Sequence, residues 1–181
     1  MHALAHLPVQ TRIRNGSPVR IRPLMPSDRE GLRHAAGQLS TDSFYARFHS
    51  MPFTLSEAQL DYFTRVDQQR HVALAAFDLA GDAETGIATG RYIQIGDLPA
   101  AAELALTVVD AYQRLGVGSL LLEQLIRIAA TNGIGTFVMH IHASRRGLLR
   151  TLFAAGANVA QVEAGVAEIH LPLHAVAVKG S

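Results

Sequence analysis

The chain contains no cysteine, so it has no disulfide framework, no thiolate nucleophile and no cysteine-based zinc site. That absence suits a reducing compartment, and a cytoplasmic location is the default expectation. Also missing is any run of about 18 uninterrupted apolar residues, the length a membrane-crossing helix needs. The opening "MHALAHLPVQTRIRN" has no basic cluster ahead of an apolar core, so no secretory leader is read in it. Nor is there an excess of charge of one sign. The formal net charge is +1 and the longest basic block is Arg145-Arg146, which gives little attraction for a polyanion. Neither nucleic acid nor a membrane is expected as a partner; the expected partner is small or locally charged.

What is present is an ordinary globular composition, 49% hydrophobic and 17% charged over 181 residues, enough for one domain with its own core. Residues 1–18 show no clear period and are expected to form an N-terminal arm, with the domain over residues 19–181. "VRIRPL" from Val19 alternates as a half-buried strand does. "PSDREGLRHAAGQL" then reads as a helix with Ser27 as cap and Glu30 three residues on. A second short helix is expected at "LSEAQLDYFTRV" behind a Ser56 cap. "HVALAAFDL", "TGIATGRYIQI" and "AELALTVVD" are β-compatible apolar runs parted by Gly and Asp, expected to pair as an antiparallel meander. The most regular helix comes next, with Leu121, Leu125, Ile128 and Ala129 on one stripe and Glu123 four residues before Arg127. After it, "TFVMHIHA" reads as a strand, "RRGLLRTLFAAGA" as a helix and "VAQVEAGVAEIHLPL" as a closing pair of strands.

Between the meander and the regular helix lies "QRLGVG", Gln113 to Gly118. Glycines at a helix N-terminus let an anion approach the unpaired backbone N–H groups and the positive end of the helix dipole. Used otherwise, they merely supply positive φ to a strand-to-helix turn. A P-loop requires Gly-Lys-Ser/Thr, but Gly118 is followed by Ser119-Leu120 with no lysine nearby. A dinucleotide fingerprint requires a small residue where Leu121 stands and an acidic residue about 20 positions on, and no Asp or Glu occurs between Glu123 and Glu163. The pattern left is Gln/Arg-x-x-Gly-x-Gly/Ala.

With that motif the chain resembles the GNAT superfamily of N-acetyltransferases over about Val19 to Leu173, in the same order of elements. "LSTDSFYARF", "GRYIQ", "AELALTVVDAYQRLGVGSLLLEQLI" and "SRRGLLRTLFAAGA" are similar to the catalytic domain of Pat-type bacterial protein lysine acetyltransferases. The resemblance implies an α/β GNAT fold: a central, twisted, mixed and mostly antiparallel sheet flanked by about four helices. It implies acetyl-CoA as co-substrate, no metal, and a primary amine as acceptor, a protein lysine first; a homodimer is a possible assembly. Backbone groups of Val108 and Val109 would hold the pantetheine arm. The segment Gln113, Arg114, Leu115, Gly116, Val117, Gly118 and Ser119 would take the pyrophosphate, with Ser144 as a further cofactor contact.

Glu103 is the candidate catalytic residue. Aminolysis of a thioester needs a neutral amine, whereas a lysine side chain has a pKa of ~10.4, so a base must remove a proton. The resemblance gives that role to Glu103, often acting through water, and an oxyanion donor to a backbone N–H near Val109. Apolar neighbours would raise the carboxyl pKa toward working pH; read by position alone, a solvated strand-end residue is the favoured reading of Glu103, and the segment match is what gives it the catalytic role. Ser40, Ser43, Tyr45 and Arg47 fall where the family builds its acceptor wall, with Ser43 and Tyr45 the substrate candidates; a capped turn with an Arg ion pair is the other reading. His140 and His142 share a strand face at period two, without a third metal ligand nearby. Three positions depart from the family pattern: Thr151 replaces the Tyr that protonates the leaving thiolate, Ser144 replaces an Asn, and Gly156-Ala157 replaces Gly-Phe. A small-molecule amine acetyltransferase and a catalytically weak acyl-CoA-binding regulatory module are the alternatives.

Overall fold

A computed structural model describes residues 3–41, 43 and 54–173. Eight strands form one sheet in the order β1-β2-β3-β4-β5-β6-β8-β7. They are β1 (Val9–Arg12), β2 (Pro18–Pro23), β3 (His71–Asp78), β4 (Thr85–Ile95), β5 (Leu98–Val108), β6 (Thr136–His142), β7 (Asn158–Glu163) and β8 (Val166–Pro172). Among the described residues the α-helices are α1 (Arg29–Gly37), α2 (Glu57–Thr64), α3 (Val117–Thr131) and α4 (Arg146–Ala154). All neighbouring strands run antiparallel except β5 and β6, so the sheet is mixed as expected.

Both faces of the sheet are covered. The stripe of α3, Val117, Leu121, Leu125 and Ile128, packs with Val72, Leu74, Leu104, Phe137 and Leu152 of α4 into the main core. On the other side, Leu24 with Ala73, Ala75 and Phe77, and Ala36 with Leu55 and Leu60, form two smaller clusters beneath α1 and α2. Strand β3 is buried on both sides, which is why it reads as an unbroken apolar run. The Ser56 cap forms as expected: its hydroxyl accepts from the Gln59 amide at 3.2 Å, and the Gln59 side chain accepts from the Ser56 amide at 2.9 Å.

The start of the chain departs from expectation in two places. The segment read as an arm carries β1, which pairs with β2 from Val9 opposite Ile21 to Arg12 opposite Pro18, and Ile13 is buried in the main core. Four residues are too short a run for period-two alternation to stand out. Ser27 does not cap α1. Pro26–Asp28 form a 3-10 turn in which the Asp28 carboxylate accepts the Met25 amide at 2.8 Å and both N–H arms of Arg22, each at 2.8 Å. Arg22 is held on β2, so the carboxylate that can reach it governs the turn.

Two expectations follow from the packing. A Cβ on Gly90 of β4 would stand 2.7 Å from Leu106 Cδ2 and 2.9 Å from Leu125 Cδ1, so these two leucines close over the strand at a distance that a side chain there would force them to give up. Gly90→Ala should destabilise by about 1–3 kcal/mol through overpacking, seen as a melting temperature several degrees lower; an unchanged value would show that the two leucines move aside freely. His71, half-buried beside Arg91, has its pKa pushed down from 6.5 to about 4 by burial first and by the Arg91 charge second, against an opposing pull from Asp67. The unfolded chain then binds the proton more readily than the fold does. Stability from this group is complete above about pH 6.5 and falls as the pH drops toward 4. His71→Gln should flatten the melting-temperature profile across that window, and an identical slope in the variant would assign the acid sensitivity elsewhere.

Candidate active site

Strand β5 is paired to β4 along its length, but to β6 at only three positions: Ala101 with Thr136, Ala102 with Phe137 and Glu103 with Val138. Beyond Glu103, β5 runs on to Val108 with no further β6 partner, while β6 stays paired to β8 along its other edge, and the sheet opens into a wedge. Successive residues of a strand present their backbone groups to opposite edges. Val109 N–H donates to the Ile87 carbonyl at 2.9 Å, on the β4 side, and the Val109 carbonyl accepts Tyr112 N–H at 2.8 Å. The alternation therefore aims the backbone of Leu106 and Val108 into the wedge. Of the expected pair Val108 and Val109, only Val108 faces it; the Val109 N–H, near which an oxyanion donor was expected, is engaged by Ile87 inside the fold.

At the mouth of the wedge the chain makes a 3-10 turn, Asp110–Tyr112, and then the glycine turn. Tyr112 donates its hydroxyl to Asp78 at 2.7 Å, fixing the turn to the end of β3. Arg14, in the β1–β2 hairpin, binds the glycine turn from behind: its amide donates to the Leu115 carbonyl at 3.1 Å and its guanidinium to the Arg114 carbonyl at 3.1 Å. Because a trans peptide points C=O and the next N–H in opposite directions, the Leu115 and Gly116 amides are turned away from Arg14. The first N–H bonded within the helix is Leu120, to the Gly116 carbonyl at 3.1 Å. The amides of Val117, Gly118 and Ser119 thus add three helix-start donors, giving a cradle of outward N–H groups at the positive end of α3.

The glycines have separable reasons. Gly116 caps α3 at φ 94°, which only glycine adopts without strain. A Cβ on Gly118 would meet Val108 Cγ2 at an ordinary 3.7 Å, so the fold itself does not demand glycine there. A small residue here keeps side-chain bulk away from the helix-start donors, as an approaching phosphate requires.

The Gln113 side chain does not point to the open side of the cradle. Its amide nitrogen donates to Asp110 Oδ1 at 2.7 Å, the Ser43 hydroxyl at 3.1 Å and the Val108 carbonyl at 3.3 Å. Asp110 Oδ2 accepts the Ser40 amide at 3.1 Å. A hydrogen bond from the Ser40 side chain first, then others from Ser43 and the Ser40 amide together with the Arg145 charge, outweigh desolvation and hold the Asp110 carboxyl below its ordinary range. Ser43, a substrate candidate, and Gln113, a cofactor candidate, are thus bonded to each other. Tyr45 and Arg47 lie outside the described residues.

Glu103 stands at the apex of the wedge, in the last pair before the strands part. Its partner on β4 is Ile93, on the face where Arg91 lies over the Phe63 ring of α2 at 4.4 Å. Glu103 is exposed rather than enclosed by apolar neighbours, contrary to the expectation for it. On the same face an apolar cavity of about 50 Å³ separates α1 from β3–β5, lined by Ala35, Leu39, Ala75, Phe77, Thr107 and Val109 among others. Ser144 hydrogen-bonds His142 Nδ1 at 2.8 Å, and His140 lies 3.7 Å from Glu168, so the two histidines turn to different partners. No group of three or more metal-ligating side chains with the geometry to hold an ion occurs among the described residues. Thr151 donates its hydroxyl to the Gly147 carbonyl at 3.1 Å. Sequence reasoning missed Arg14, Tyr112 and Asp110, whose parts depend on contacts distant in the chain.

The sequence profile of the acetyltransferase (GNAT) family matches residues 34–154. This chain belongs to that family. It is 28% identical to acetyltransferase Pat of Mycolicibacterium smegmatis over 91% of its own length, and spans about half (49%) of that relative. The solved GNAT domain of S. lividans PAT is 32% identical, with a TM-score of 0.82 over 93% of this chain and 98% of that domain. In fold alone, the chain also matches yncA from Salmonella typhimurium, solved with its cofactor acetyl-CoA, at a TM-score of 0.66 and 17% identity over 86% of this chain and 94% of that one.

A charge placed in the cradle tests its role as an anion site. Gly118→Asp puts a carboxylate against the outward amides, with a Cβ the fold accepts, so circular dichroism should be unchanged. Coenzyme A affinity by calorimetry should fall by at least about tenfold, the scale of one lost charge-assisted contact. Undiminished affinity would remove the pyrophosphate from this turn.

Proposed function

We propose that the chain is an acyl-CoA-dependent N-acyltransferase that moves an acetyl or other short acyl group to a primary amine, a protein lysine first, by direct attack in a ternary complex. The observation that carries this reading is the alignment of an open strand edge, an anion cradle and a carboxylate along one strand and the turn it enters. Val108 and Leu106 offer backbone partners to an extended chain bearing amides. The amides from Leu115 to Ser119 donate to the pyrophosphate. Both groups belong to coenzyme A, and their order along the chain matches the order of the groups in that molecule. Glu103 then lies on the side of the acyl end.

Glu103 takes the proton from the incoming ammonium, directly or through one water, and its exposure leaves the amine free to approach from the α1–α2 face. The freed nitrogen attacks the thioester carbon, the C–S bond breaks, and the nitrogen's second proton passes by way of water to the departing thiolate. A backbone N–H at the wedge, Leu106 or Val108, steadies the oxygen of the intermediate. No side chain is needed as acid, in keeping with the engagement of the Thr151 hydroxyl by its own helix.

That same engagement favours one second reading, a domain that binds acyl-CoA but turns it over slowly, with control as its purpose. Glu103→Gln separates the two. It should leave coenzyme A affinity within about twofold and slow transfer by roughly 10²–10⁴ at neutral pH, the usual worth of general base catalysis. The loss should shrink as the pH nears ~10.4, where free amine is abundant. A uniform loss at every pH would make Glu103 a positioning group, and no transfer by the natural chain to any amine or protein would favour the binding module.

A further inference from the structure

We propose that Asp110 and Gln113 are positioning residues that transmit occupation of the cofactor cradle to the acceptor side of the site, through their hydrogen bonds to Ser40 and Ser43. The inference rests on the reading of the glycine turn as a coenzyme A site.

Asp110 and Gln113 lie between two segments that are about 70 residues apart in sequence. Asp110 is the first residue of the 3-10 turn that follows the wedge strand, and Gln113 is the first residue of the glycine motif. Both side chains reach away from the cradle toward the connection after α1. There the carboxylate accepts the Ser40 amide at 3.1 Å while the Gln113 amide donates to the Ser43 hydroxyl at 3.1 Å. The Ser43 amide in turn donates to the Ser40 hydroxyl at 3.2 Å, closing the set. The Gln113 amide and the Asp110 carboxylate also bond each other at 2.7 Å, so neither moves alone.

One contact makes this array sensitive to ligand. Gln113 donates to the Val108 carbonyl at 3.3 Å, a backbone acceptor aimed into the wedge. A ligand amide that adds to the open edge of β5 competes for that acceptor. The Gln113 nitrogen is then left to Asp110 and Ser43, its two remaining acceptors, and the Ser40–Ser43 segment is held more tightly. Anion binding to the amides from Leu115 to Ser119 acts in the same sense, by fixing the backbone from which Gln113 projects. Acceptor-side order thereby becomes conditional on cofactor occupation. Coupling of this kind is reciprocal, so whatever fixes Ser43 also favours the ligand.

Hydrogen exchange on the full chain, with coenzyme A itself as the probe, tests this without turnover. In the natural chain, saturating coenzyme A should slow amide exchange at Leu115–Ser119 and, at least about fivefold, at Ser40–Ser43. Asp110→Ala should keep the first protection and lose the second, with coenzyme A affinity changed less than about threefold. Asp110→Asn, which retains one accepting oxygen, should fall between. Protection at the cradle without any change at Ser40–Ser43 in the natural chain would overturn the coupling, and so would full retention of it in Asp110→Ala. Faster exchange throughout Asp110→Ala in the absence of ligand would reduce Asp110 to a structural brace. No protection anywhere and no heat of binding in the natural chain would defeat the coenzyme A reading itself, a different outcome from the others.

Discussion

The site depends on one incomplete pairing. Three residue pairs join the two halves of the sheet across β5 and β6, and beyond Glu103 and Val138 the strands separate. A strand in the middle of a sheet has both edges satisfied, because unpaired backbone groups out of water cost free energy. Here β5 keeps one edge bound to β4 and leaves the other without a strand partner over the stretch that holds Leu106 and Val108, where the Val108 carbonyl meets the Gln113 side chain. The parting therefore creates a place where an extended ligand with its own amides can add as a strand does. It also directs the chain into the cradle, since the strand that loses its neighbour is the one that runs into the glycine turn.

An open edge and a tight turn would be poorly placed if they could drift, and three contacts from distant parts of the chain prevent it. Tyr112 is bound to Asp78 at the end of β3, Val109 to Ile87 on β4, and Arg14 holds the carbonyls of Arg114 and Leu115 from the β1–β2 hairpin. Arg114 sits at φ 63°, a left-handed conformation that a non-glycine residue enters only when its surroundings determine it. The grip of Arg14 on its carbonyl is the surrounding that does so. Donors held this way need little reorganisation when charge arrives, which is the condition under which backbone N–H groups bind anions well.

What the sequence made legible was what local pattern controls. The α3 stripe, the Ser56 cap, the doubly buried β3 and the glycine turn are each written in a few adjacent residues, and each is found where the pattern puts it. The misses have a shared physical cause. Whether Val108 or Val109 faces the wedge depends on which edge of the ladder each residue serves, and a shift of one residue in register exchanges them. The engagement of Gln113 by Ser43, and of Asp28 by Arg22 in place of a Ser27 cap, depends on which elements meet after folding. Strand β1 escaped notice because four residues carry little period, although the hairpin it forms is what brings Arg14 to the glycine turn. The exposure of Glu103 was not legible, because the apolar residues beside it in sequence turn to the opposite face of the strand.

Three glycines along this path show how far such a signal reaches. Gly90 answers to packing, since a Cβ there would collide with Leu106 and Leu125. Gly116 answers to backbone conformation, since φ 94° is open to it and strained for any other residue. Gly118 answers to neither: its helical conformation is ordinary and a Cβ would fit beside Val108. The fold would accept alanine there, as the pattern Gln/Arg-x-x-Gly-x-Gly/Ala also does, so the position asks for a small residue rather than for glycine itself. Of the three glycines, this is the one held neither by packing nor by backbone conformation, and it lies in the first turn of the helix whose amides face outward.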